Sequence, residues 1–74
     1  MAFDYSRLKG RIVEVYGTNA AFSKDMGWSE RTMSLKMNGK VDWKQDEICK
    51  ALGLLRLNMS DIQPYFFTLK VQNF

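Results

Sequence analysis

Thr18-Asn19-Ala20-Ala21-Phe22-Ser23-Lys24-Asp25-Met26-Gly27-Trp28-Ser29-Glu30-Arg31-Thr32-Met33-Ser34-Leu35-Lys36-Met37-Asn38-Gly39 is the stretch whose reading decides the fold. Thr18 and Ser29 suit helix N-caps, because a short side-chain oxygen accepts a free backbone N–H of the first turn. Gly27 supplies the positive φ that a sharp stop after the first of these helices needs. Phe22 and Met26 stand one turn apart and face inward, and Met33 and Met37 repeat that spacing on the next helix before Asn38-Gly39 ends it. Ser23 is small where two helices must approach closely, and Trp28 plugs the turn. The connection is Trp28 and its two neighbours, so residues 19–38 read as a tight helix-turn-helix.

Working outward, helical spacing of Leu8, Ile12, Val15 and Tyr16 predicts a helix from about Asp4 to Tyr16, stopped by Gly17. Gly10 inside it costs about 1 kcal/mol against alanine. A fourth helix is expected from about Trp43 to Gly53, with Ile48, Ala51, Leu52 and Leu55 on the core face. A short fifth follows Asn58 or Ser60, with Asp61 well placed in its first turn. It has to start late, since Pro64 deep inside a helix would lose a hydrogen bond and clash. Leu69, Val71 and Phe74 alternate with polar residues, which suggests an extended tail or strand. The expected fold is all-α: a compact bundle of five short helices with a central helix-turn-helix, in a single domain over residues 1–74.

Composition narrows the possibilities. The 74 residues include no histidine and one cysteine, Cys49, so neither a disulfide framework nor an ordinary zinc site is expected. Cys49 reads as a buried apolar filler. Trp28, Trp43 and the Met26, Met33 and Met37 stripe read as core, each buried indole N–H needing a partner. Met1 to Arg11 contain no continuous apolar stretch, so no signal peptide is expected, nor any membrane span; the expected location is the cytoplasm. Residues 1–40 hold seven Lys/Arg and four Asp/Glu, whereas residues 41–74 hold four of each. The basic surplus lies in the half that carries the helix-turn-helix, which favours an anionic partner. No phosphate-binding loop, metal-ligand cluster or base beside Cys49 is present, so catalysis, cofactors and a small-molecule substrate are not expected.

Residues 19–39 resemble the helix-turn-helix of the phage Cro/repressor superfamily, and are most similar to short Cro-like proteins of phages and prophages of Gram-positive bacteria. The phrase Trp28 to Lys40 carries the resemblance, followed by Trp43, Glu47-Ile48, Leu52, Ile62 and Tyr65-Phe66-Phe67. It departs from the pattern at Asn19, where glutamine is common, and at Ser23, where alanine is usual. The resemblance implies sequence-specific binding of double-stranded operator DNA by a transcriptional regulator. A recognition helix enters the major groove by its N-terminal half, which makes Glu30, Arg31, Ser34 and Leu35 the candidates for base contact. Arg31 leads them, because a guanidinium grips guanine through two acceptors. Thr18, Asn19 and Ser29 at helix N-termini, with Lys36, Asn38 and Lys40 on the other flank, are the candidates for phosphate contact.

The C-terminal aromatics exceed what so small a core readily hides. Tyr65, Phe66, Phe67, Leu69 and Val71 are therefore expected to form part of a self-association surface. A homodimer would set two recognition helices about 34 Å apart on a palindromic operator. A second expectation belongs to a different class: an antirepressor that keeps this shape but uses it to grip the DNA-binding domain of a phage repressor. The modest net charge, the carboxylate of Glu30 at the front of the recognition helix and the apolar Leu35 leave room for it.

Overall fold

The computed structural model describes residues 3–69. Five α-helices follow one another: α1 (Ser6–Tyr16), α2 (Asn19–Met26), α3 (Glu30–Met37), α4 (Gln45–Leu54) and α5 (Ile62–Phe66), the last entered through a 3₁₀ turn at Met59–Asp61. Side-chain oxygens start α2, α3 and α4. Thr18 Oγ1 accepts from the Ala21 N–H at 3.2 Å and Ser29 Oγ from the Thr32 N–H at 3.1 Å. At α4 the Glu47 carboxylate reaches back to the Lys44 N–H at 2.7 Å. That bond starts α4 two residues later than expected and leaves Trp43 outside it, free to turn into the aromatic cluster.

Gly27 takes φ 78°, ψ 24° and closes α2 by donating its N–H back to Lys24 and Ser23 carbonyls. The left-handed region costs any residue with a Cβ about 1–2 kcal/mol, which is why glycine stands there. Only Gly27, Trp28 and Ser29 separate α2 from α3. Along α1, Leu8 and Ile12 are fully buried, but Val15, expected inward, is exposed. It lies 100° round the helix from Tyr16, whose ring packs edge-on against Phe22 at 5.4 Å. Arg11 ties α1 to the end of α4, its Nε donating to the Leu55 carbonyl at 2.9 Å.

The core joins Leu8, Ile12, Phe22, Met26, Met33, Ile48, Ala51, Leu52, Leu55 and Phe66. Burying each of the larger of these side chains, all but Ala51, stabilises the fold by about 1.5–3 kcal/mol. Trp43 stacks edge-on against both Trp28 and Phe66 at 5.1 Å. Its indole N–H is buried with no acceptor among the described residues. Cys49 corrects one expectation: it is exposed, because α4 turns its Ile48, Ala51 and Leu52 stripe inward and the residue after Ile48 faces out.

The C-terminal segment corrects another. Phe66, expected on a self-association surface, is only 1% exposed and belongs to the core, and Tyr65 packs beside it. Phe67 and Leu69 remain exposed, while Val71 and Phe74 lie outside the described residues. No strand forms among the described residues. The expected extended tail contributes a single antiparallel bridge between Leu69 and Phe3, and the Asp4 N–H donates to the Thr68 carbonyl at 2.6 Å. Pro64 is the third residue of α5, inside the first turn where no N–H is required.

Candidate functional site

The α2–α3 pair presents one polar face. Glu30, Arg31 and Ser34 are exposed along α3, and Leu35 is half-buried beside them. Thr18 and half-buried Asn19 stand at the N-terminus of α2, and Asn38 and Lys40 are exposed past the end of α3. Several of these side chains are engaged locally. The oxygens of Thr18 and Ser29 hold their helix caps, and Asn38 Nδ2 donates to Ser34 Oγ at 3.2 Å. The Asn19 side-chain carbonyl is buried with no donor among the described residues.

Lys36 breaks the expected pattern. Sequence reasoning placed it with the phosphate donors, but the side chain turns inward and the residue is 4% exposed. Its ammonium donates to Glu47 Oε1 at 2.6 Å and to the Asp42 carbonyl at 2.8 Å, 5.4 Å from the centre of the Trp28 ring. Burial alone would raise the Glu47 carboxyl. The hydrogen bonds from Lys36 and the Lys44 backbone, with both lysine charges, outweigh that and hold it below the usual carboxylate range. A lysine so paired binds α3 to the start of α4 and offers nothing to a phosphate. The four-residue spacing from Thr32 and three from Met33 put it near the inward edge of α3; only the position of Glu47 decides that it stays there.

Sequence reasoning missed one wall of the site. The segment Phe3–Ser6, with Lys9 of α1, faces Asn19, Ala20 and Ser23 of α2 and Glu30, Ser34 and Asn38 of α3 across an open cleft of about 450 Å³. Met33 and Met37 form part of its lining. Nothing local in residues 3–9 signals this, because the wall is set by contacts from the far end of the chain. Phe3 pairs with Leu69 and stacks edge-on against Phe67 at 5.5 Å. Arg31 and Leu35 do not line the cleft; they lie on the outer side of α3.

Five helices with a tight helix-turn-helix, one polar face and a cleft beside it make a small protein of the all-α class. The chain belongs to the family described as Protein of unknown function (DUF739), whose model matches residues 1–69. It is also similar to a solved structure, the solution structure of the modulator of repression (MOR) of the temperate bacteriophage TP901-1 from Lactococcus lactis. The two share 56% identity and a TM-score of 0.81, with 97% of each chain covered. Among curated proteins none matches. Neither match is described as a Cro-like repressor; a small helical fold is what the solved structure shares with the resemblance drawn from residues 19–39.

Proposed function

We propose that this chain is a modulator of repression, which binds the DNA-binding domain of a phage repressor through the α2–α3 face. The observation that carries the reading is the 56% identity over 97% of both chains to a phage modulator of repression. The face itself supports it. Glu30 puts a carboxylate where a DNA-reading helix meets phosphates, and Lys36 is withdrawn from the set of phosphate donors. A repressor domain built for DNA carries lysines and arginines on its DNA-facing surface, which a carboxylate attracts and phosphate repels. The protein then acts in the bacterial cytoplasm as a binding partner and catalyses nothing. Co-purification with a repressor of the same phage, and no shift of any operator fragment by this chain alone, are the expected results. Tight, salt-dependent operator binding by the chain with no repressor association would reject the reading.

One observation favours a second reading, operator binding by a homodimer. Arg31 is exposed in the N-terminal half of α3 and forms no ion pair with a described residue, the arrangement that lets a guanidinium reach guanine. On that reading Arg31→Ala abolishes a gel shift that the parent chain produces, and sedimentation of the parent gives a dimer.

A further inference from the structure

Among the described residues, the cleft beside α3 is lined by the exposed carboxylate of Glu30. The formal net charge of the chain is +3, and the charged side chains lining the cleft among the described residues are Asp4, Glu30 and Lys9. Asp4 Oδ1 already accepts from the Ser6 N–H at 2.9 Å. The Glu30 carboxylate is exposed and has no ion pair or hydrogen bond with any described residue. One turn along, Ser34 offers a hydroxyl oxygen to the same cleft, while Met33 and Met37 give it an apolar side. An apolar wall ending in a free carboxylate matches a long basic side chain, which lays its methylene stem on carbon and keeps its charged head on oxygen.

We infer that this cleft is the socket for one basic side chain from the DNA-facing surface of the repressor domain, with the Glu30 carboxylate as its anchor. The inference rests on the modulator reading and names its recognition chemistry. A surface that binds operator must project cations toward phosphates. A protein competing for that surface meets those cations first, and a carboxylate set in a concave, partly apolar cleft holds one better than a carboxylate on a flat face. Arginine fits better than lysine, since its planar fork pairs with both oxygens of a carboxylate. The socket also gives the terminal contacts a purpose: the pairing of Phe3 with Leu69 holds the wall opposite Glu30 in place.

Calorimetric titration of the intact chain into the intact cognate repressor, at low and moderate salt, tests this. Glu30→Gln should weaken binding about tenfold or more and flatten the salt dependence, with an unchanged circular dichroism spectrum. Ser34→Arg should also abolish tight binding while leaving the fold as stable as before or more so. Its bulky cation fills the cleft that the basic side chain would enter and repels it, and it pairs only weakly with Glu30 four residues away. Charge reversal by Glu30→Arg should be rescued by an arginine-to-glutamate change at one position of the repressor surface. Binding of Glu30→Gln and Ser34→Arg within about twofold of the parent, with the same salt slope, would overturn the socket while leaving the modulator reading intact. A parent chain that does not bind the repressor removes both. A dimer of the chain alone that dissociates in Glu30→Gln would assign the cleft to a second copy and overturn the inference.

Discussion

The α2–α3 hairpin and the segment from Asn58 to Leu69 are both short, apolar on one side and rich in large side chains, yet they are held by different physics. In the hairpin each boundary is fixed within a few residues: Thr18 and Ser29 cap, Gly27 turns, and the inward residues repeat at helical spacing. In the C-terminal segment the local pattern does not choose among Tyr65, Phe66 and Phe67. Phe66 enters the core because Trp43 offers its ring a face 5.1 Å away, and Phe67 is left outside to meet Phe3. Local chemistry therefore sets the shape of the α2–α3 hairpin, and long-range packing sets which aromatic is structural.

Substitutions sharpen that contrast, and the largest effect should come from the C-terminal side. Phe66→Ala should cost about 3–5 kcal/mol by leaving a cavity among α1, α4 and Trp43, enough to unfold most of a domain this small. Urea denaturation measures it, and a loss under about 1 kcal/mol would show that the segment is not part of the core. Next is the bond joining the hairpin to α4. Glu47→Ala strands a buried ammonium and removes the bond to the Lys44 N–H, for a loss of about 3 kcal/mol. Changing Lys36 to Met and Glu47 to Leu together should recover most of that.

The same pair gives a pH dependence with a definite sign. The folded carboxyl of Glu47 lies below its ordinary pKa of 4.5. The stability it contributes is therefore present above that value and is lost as pH falls through the folded pKa. Thermal melts of the parent between pH 6 and pH 3 (an illustrative range of about three units) should show an acid loss that Glu47→Gln largely removes. Smaller still, Ser29→Ala should cost about 1 kcal/mol by freeing the Thr32 N–H. Phe67→Ala should change stability by less than about 0.5–1 kcal/mol, as surface substitutions do. If Phe67→Ala proved as damaging as Phe66→Ala, the contrast between the two neighbours would collapse.

Some of the candidate site was legible in the sequence for the same reason the hairpin was. Glu30, Arg31 and Ser34 follow from the position of the Ser29 cap and the inward Met33, since a helix that buries one stripe must expose the opposite one. Lys36 and Cys49 were not legible. A lysine is expected in solvent and a cysteine in the core, and each preference was overruled by one neighbour: the carboxylate of Glu47 for the lysine, the better-filling Ile48 stripe for the cysteine. The N-terminal wall of the cleft was out of reach altogether, because no periodicity links Phe3 to a residue sixty-six positions away.

By itself the sequence determined the five helices, the Thr18 and Ser29 caps and the tight turn at Gly27, because each depends on hydrogen bonds and backbone dihedrals within about four residues. Only the tertiary structure decided that Lys36 turns inward, which aromatic fills the core and where the cleft opens. Those choices depend on side chains brought together from distant parts of the chain, where burial and charge pairing can reverse what each residue would do alone.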